Sequence, residues 1–269
     1  MTYAVGDEGP FRRNDGMNLM DICVSRNVKA VMADGAINEM ETTLLHEHEL
    51  SILVNERFAM KLVCTRQDLH ELVLGRLLTS GFIDGLEDIS KLFFGKDQNE
   101  ASVFLNGKIN LEEIAPEEKS CCTGNRIGYL AKGRKELKEL PSPSYRPEWI
   151  FAMAQQFKKG TAIHELTYCT HSCMLARKGE ILFTCEDIGR HNAIDKAIGF
   201  GLRAGIPLSE CILYTSGRVP VDVVEKAITA GVPILASKTV PTAEAVELAR
   251  KFGLVIIGSA RADSMKVFT

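Results

Sequence analysis

From residue 181 to residue 258 the chain alternates short apolar runs with stretches of helical period, and few folds accept that pattern. Ile181 to Cys185, Cys211 to Thr215, Val232 to Ala236 and Leu254 to Gly258 read as strands. Between them fall helices at about Asn192 to Arg203, Pro220 to Ala230 and Pro241 to Phe252; the first carries Ile194, Ala197, Ile198 and Leu202 on one face. Pro220 opens its helix, Gly231 lies just past the end, and Gly253 stops the last helix, the usual asymmetry of helix termini. Short connections between strands and helices imply a largely parallel sheet with right-handed crossovers and helices on its faces. This is an α/β domain, with bounds at 145–269.

Upstream the pattern changes. A helix is expected over Pro147 to Lys158, strand-like runs at Ile163 to Thr170 and Ser172 to Arg177, and a turn at Lys178-Gly179. Pro141 to Pro147 is Pro-rich with no apolar repeat and reads as a linker. Residues 45–140 read as a smaller N-terminal α+β domain. Leu50 to Val54 and Phe58 to Val63 make a hairpin across Asn55-Glu56-Arg57. Asp68 caps a helix with Leu69, Leu72, Val73, Leu77 and Leu78 on one stripe, stopped by Gly81. Leu92 to Phe94, Ser102 to Leu105 and Lys108 to Leu111 follow as strands, the last two joined by an Asn106-Gly107 turn. Residues 1–44 show no clear period and read as an irregular or extended arm.

If the later strands are parallel, their carboxyl ends share one edge, where open α/β sheets bind ligands. The segments leaving that edge are Glu186 to His191, Ser216-Gly217-Arg218, Ser237-Lys238-Thr239 and Ser259-Ala260-Arg261. Each supplies small or hydroxyl residues and a cation, and the first three run into a helix N-terminus, which suits a phosphorylated ligand. Taken singly, each residue has a structural reading. Asp187 can be a helix cap, and His191 and Asp195 can pair along a helix surface. As a set, they point to anion binding. A net charge of −3 gives no global drive toward nucleic acid or an anionic membrane, so an anion site must be a local cluster. No stretch is apolar enough to be a signal peptide or a membrane span, so a cytoplasmic protein is expected.

Eight cysteines in a chain with this much core material do not form a disulfide framework. Cys64 and Cys211 read as core residues. Cys169, His171, Cys173 and Cys185 are plausible zinc ligands by type, but the spacing is incomplete, and no structural metal is expected. Cys121 and Cys122 differ from these, lying in a polar segment, 119–126, with Lys119 and Arg126 nearby. Adjacent Cα atoms are about 3.8 Å apart, below the roughly 4.4–6.8 Å of ordinary disulfides, so this is not a thioredoxin-type couple. The flanking cations suit a thiolate nucleophile that stays reduced or carries sulfur.

Several stretches resemble the formate dehydrogenase accessory sulfurtransferase family (FdhD/NarQ). They are Cys169-Thr170-His171, the run from Glu186 to Lys196, Ser216-Gly217-Arg218 with Glu225-Lys226, Pro241-Thr242, and the ending Gly258 to Arg261 and Val267 to Thr269. The resemblance covers about Glu47 to the C-terminus. It implies a cytidine-deaminase-like C-terminal domain without the zinc site, often dimeric. It also implies a persulfide on Cys121, received from a cysteine desulfurase and passed to the molybdenum (or tungsten) bis-guanine-dinucleotide cofactor, bound as substrate. A formate dehydrogenase catalytic subunit would then become active. Cofactor contacts would come from Cys169, His171, Asp187, Gly189, Arg190, His191, Ser216, Gly217, Arg218, Lys238, Thr239 and the run Ser259, Ala260, Arg261, Ala262, Asp263 and Ser264. Two departures stand out. The family loop carries C-x-x-C, whereas Gly124 stands where the second cysteine would fall and Cys122 is an extra thiol. Ser264 occupies a position that is commonly Arg. A non-catalytic cofactor chaperone and a nucleobase deaminase are the alternatives.

Overall fold

Residues 21–106, 114–117, 128–131 and 136–269 are described by a computed structural model of the chain. Cys121, Cys122 and the expected Lys108 to Leu111 strand lie outside the described residues. The arm expected over residues 1–44 is, in its described part, a hairpin. Cys23–Val31 (β1) and Ile37–Leu45 (β2) pair antiparallel, from Cys23 opposite Leu45 to Val31 opposite Ile37. Only its base is buried, where Ile22 and Cys23 meet Ile163. Val28, Met40 and Leu44 are exposed, so the hairpin lacks the buried face whose alternation betrays a strand.

His48–Val54 (β3) and Arg57–Cys64 (β4) form the expected hairpin. Its turn residues Asn55 and Glu56 have φ of 48° and 65°, the positive values that a tight hairpin turn demands. The helix Leu69–Thr79 (α1) follows, then Ile89–Phe94 (β5), Glu100–Leu105 (β6), Ile114–Glu117 (β7) and Gly128–Ala131 (β8). These strands form one sheet in the order β5-β6-β3-β4-β8-β7, with only β3 and β6 parallel. Leu50, Ile52, Val54, Ala101 and Val103 alternate inward and bury their side chains together with Leu72, Val73 and Leu77 of α1.

The second half contains Pro147–Lys158 (α2), Ala162–Thr167 (α3), His171–Arg177 (β9), Glu180–Asp187 (β10), Arg190–Arg203 (α4), Cys211–Thr215 (β11) and Val221–Thr229 (α5). It closes with Ile234–Ser237 (β12), Ala243–Phe252 (α6), Val255–Gly258 (β13) and Lys266–Val267 (β14). Strand alternation sorts the core into two layers. Met174, Ala176, Ile212, Tyr214, Ile234 and Ala236 face Ile150, Met153 and Ala154 of α2. Their neighbours Cys173, Leu175, Leu213, Leu235 and Ile256 join Ala193, Ala197, Val223 and Ala249 of the helices on the other face.

Two expectations are corrected here. Residues 163–170 are not a strand. Glu186 accepts the N–H groups of Ile163 (3.0 Å) and His164 (2.8 Å), and this carboxylate at the helix start favours one turn of helix. The sheet is mixed rather than largely parallel. Its order is β10-β9-β11-β12-β13-β14; β11, β12 and β13 run parallel, while β9 opposes both its neighbours and β14 opposes β13. The two-residue turn Lys178-Gly179, with φ of 51° and 86°, forces β9 and β10 to be antiparallel. The reversal brings the start of β9 to the edge where β10 to β13 end.

The two halves meet where α1 crosses α4. A Cβ on Gly75 would lie 1.8 Å from Asp195 O, and one on Gly199 would lie 1.9 Å from Glu71 O. The backbones therefore touch, and one continuous core runs from Leu50 of the first sheet to Ile256 of the second. Among the described residues no helix is long and apolar enough to cross a membrane. Gly199→Ala should force the helices apart and cost about 1–3 kcal/mol or more. Urea unfolding should show a lowered midpoint with an unchanged slope; an unchanged midpoint would mean that the crossing yields without cost.

Candidate functional site

The reversed β9 delivers His171 to the sheet edge formed by the ends of β10, β11, β12 and β13. Ser216, just after β11, fixes it there. Its hydroxyl lies 3.2 Å from His171 Nδ1 and accepts the Ser172 N–H at 3.0 Å, while its own N–H donates to Ser172 O at 3.0 Å. Burial pushes the His171 imidazole below its ordinary pKa, and the Arg190 charge adds to this. Cys169 is exposed, two residues before His171 and just past Tyr168, whose φ of 53° ends α3.

Asp187 does not face the edge. Its carboxylate is wholly buried and accepts from Thr65 N (3.0 Å), Gly189 N (2.9 Å) and Asn192 Nδ2 (2.9 Å), with Lys196 Nζ at 2.8 Å. It caps the loop into α4, and it also binds residues of the other half. Burial works against the Lys196 ammonium, yet Asp187 beside it raises its pKa above the ordinary value. His191 Nε2 lies 2.7 Å from Asp222 Oδ2 of α5, not against Asp195, whose carboxylate takes Lys226 Nζ at 2.6 and 2.8 Å. Gly217 is small for a local reason: a Cβ there would stand 2.8 Å from Arg190 Cβ, so Arg190 crosses directly over it.

The remaining loops are tied by their own hydroxyls. Ser237 Oγ and Thr239 Oγ1 donate to Gly217 O at 2.7 and 2.9 Å. Ser259 N and Ala260 N donate to Thr239 O (2.7 Å) and Ser237 O (2.9 Å), and Tyr214 OH to Ala260 O at 2.7 Å. Residues 261–264 turn back, with Arg261 N donating to Ser264 O at 2.8 Å and Ser264 Oγ bonding Asp263 Oδ1 at 3.2 Å. Ala262 is half-buried beside them. Outward, the edge presents mostly cations: Arg218, Lys238 and Arg261 are exposed at the ends of three adjacent strands and Arg190 is half-exposed, with the carboxylate of Asp263 exposed beside Arg261.

The expected loops thus converge, but their residues divide between holding the edge and facing outward. Cys169 and Cys173 do not face a common point, since the first is exposed and the second is buried in the core. Cys64, Cys173, Cys185 and Cys211 are buried, and burial raises each thiol, that of Cys211 to about 11, so none is a ready thiolate at neutral pH. The sequence reading missed Thr65 as part of this architecture and gave Glu186 and Asn192 no individual role. Thr65 carries no local signal, being a lone hydroxyl after a strand far from the edge in sequence. The His171 imidazole should titrate in NMR below the ordinary value of about 6.5, and Arg190→Met should move its midpoint partway back up. A midpoint unmoved by that substitution would remove Arg190 from its surroundings.

Comparison with known proteins agrees in one direction. The family model described as FdhD/NarQ matches residues 45–269. A sulfur carrier protein FdhD of Listeria monocytogenes is 28% identical over 256 residues, covering 93% of this chain and 98% of that protein. The Sulfolobus acidocaldarius protein of the same name is 31% identical over 250 residues, covering 91% and 96%. The crystal structure of a candidate formate dehydrogenase accessory protein from Desulfotalea psychrophila superposes with a TM-score of 0.75, at 23% identity, over 92% of this chain and 97% of that one. With a family model matched over residues 45–269 and an edge built from the same stretches that carry the likeness, the chain belongs to the FdhD/NarQ family.

Proposed function

We propose that this chain is a sulfur carrier for formate dehydrogenase maturation: Cys121 takes sulfur from a cysteine desulfurase and delivers it to a molybdenum bis-guanine-dinucleotide cofactor held as substrate at the cationic edge. In the loading step the Cys121 thiolate attacks the terminal sulfur of the desulfurase persulfide. A new S–S bond forms on Cys121, and the desulfurase cysteine leaves as a thiolate. The cofactor's phosphates would meet Arg218, Lys238 and Arg261 and the positive dipole end at the start of α4, as oxyanions do at helix N-termini. The cytidine-deaminase-like fold of residues 145–269, their separation from a smaller domain at 45–140, homodimerisation and a cytoplasmic setting belong to the same reading.

One observation carries it. Gly128 of β8 stands opposite Met60 of β4, and Glu117 of β7 opposite Gly128. In this antiparallel register the two strand ends that bracket residues 118–127 point along β4 toward Cys64 and Thr65. Thr65 is the residue that touches Asp187 at the opening of the edge. The described strand ends on either side of residues 118–127 thus lie on the side of the first sheet nearest the edge, which supports the reading.

After incubation with a cysteine desulfurase and cysteine, Cys121 should gain the mass of one sulfur atom; unmodified Cys121 and Cys122 would count decisively against sulfur carriage. Gly124 in place of a second loop cysteine favours one competing reading, a cofactor-binding chaperone without sulfur chemistry. Replacing both Cys121 and Cys122 by Ala separates them: maturation of the dehydrogenase should be lost while guanosine diphosphate still binds. Retained maturation selects the chaperone. Replacing Arg218, Lys238 and Arg261 together by Gln should weaken guanosine diphosphate binding at least about tenfold, since hydrogen bonds to charged groups contribute roughly 1.5–3 kcal/mol each.

A further inference from the structure

The strands that bracket the loop cysteines and the edge that would hold the ligand belong to different sheets, and Thr65 joins them. It follows β4 directly. Its N–H donates to Asp187 Oδ2 at 3.0 Å, and its hydroxyl lies 3.0 Å from Glu186 O and 3.2 Å from Asp187 Oδ2. Lys196 Nζ donates to that hydroxyl at 2.6 Å, to Glu186 O at 3.0 Å and to Asp187 Oδ2 at 2.8 Å. An ammonium has three hydrogens, and these three short contacts can take them all, with Thr65 O a longer fourth neighbour at 3.4 Å. Thr65, Asp187 and Lys196 are each 0% exposed.

The same junction sets the start of α4. Asp187 Oδ1 accepts from Gly189 N and Asn192 Nδ2, both at 2.9 Å, and Asn192 Nδ2 also donates to Val63 O at 2.8 Å. The end of β4 is thus gripped by the groups that position Gly189 and the first turn of α4. A close-packed junction held by these buried hydrogen bonds does not deform freely. If Gly189 and the first turn of α4 shift toward a bound anion, Asp187 must follow, and it cannot follow without drawing Thr65 along or breaking its bonds. We propose that Thr65 is a positioning residue that couples occupancy of the ligand edge to the placement of β7 and β8, the described strands on either side of residues 118–127.

The proposal rests on the sulfur-carrier reading, and the molecule supplies its own control. Thr79, at the other end of α1, donates to Asp195 Oδ1 at 2.8 Å and accepts from Lys226 Nζ at 2.8 Å. It ties the same two halves together, yet none of these partners lies on the edge. Thr65 and Thr79 are therefore alike in cohesion and different in coupling.

The test uses the full chain, with guanosine diphosphate as the probe. Alkylation of Cys121 by iodoacetamide, followed by peptide mass mapping so that exposed Cys169 does not interfere, should change in rate by about fivefold or more at saturating nucleotide. In Thr65→Val the two rates should come within about twofold of each other while the nucleotide still binds. Thr65→Ser, which keeps the hydroxyl, and Thr79→Val should both respond as the wild type does. A wild-type response in Thr65→Val overturns the proposal, and so does a wild-type rate indifferent to bound nucleotide. Should Thr65→Val not fold, amide exchange in the wild type decides. Nucleotide should slow exchange across residues 62–66, and slowing at the start of α4 alone overturns the coupling. Failure of the wild type to bind the nucleotide at all overturns instead the reading of the edge on which the proposal stands.

Discussion

Two glycines let the backbones of α1 and α4 touch, and the relation between the halves follows from that contact. With Gly75 and Gly199 face to face, the residue before α1's approach, Thr65, lands on Asp187 and Lys196, and the last residue of α1, Thr79, lands on Asp195 and Lys226. Taking an ion out of water costs several kcal/mol even after relaxation, and only good partners offset it. Here each buried ion pair takes part of its hydrogen bonding from the other half. The second half cannot keep these charges buried and fully bonded alone, and the crossing joins the two sheets through one core.

Much of this fold could be read from the chain because local and tertiary preferences agree. The stripe Ile194, Ala197, Ile198 does face the core, Pro147 does open a helix, and Asn55-Glu56 does close a hairpin. The failures share a cause: the deciding partner is remote. Residues 163–170 look strand-like until Glu186, some twenty residues on, receives their N–H groups. The β1–β2 hairpin has no buried face to impose a period. Gly75 and Gly199 read locally as weak points in helices, since nothing within either helix reveals that the other must pass through the space of a missing Cβ.

The site was legible as a set of loops and not as a set of roles. Because β10 to β13 end on one side, the small, hydroxyl and charged residues that follow them gather on one edge. Whether each faces in or out depends on packing that residue type does not encode. Asp187, Ser237 and Ala260 turn inward and hold the loops, whereas Arg218, Lys238 and Arg261 turn outward. The reversed direction of β9 also explains how His171, at the beginning of a strand, joins residues at the ends of others.

The division between inner and outer charges bears on what the edge can bind. Inside, charge is compensated: Asp187 by Lys196 and Asp195 by Lys226. His171 is held toward its neutral form by burial and by Arg190. The positive field at the edge therefore comes mainly from Arg190, Arg218, Lys238 and Arg261. Three of these follow adjacent strands, and at about 4.8 Å per strand the strand ends span roughly 10 Å. A single small anion could engage only part of such a row. A ligand with several phosphate oxygens in series could engage the whole of it, in a protein whose overall charge of −3 would otherwise repel it.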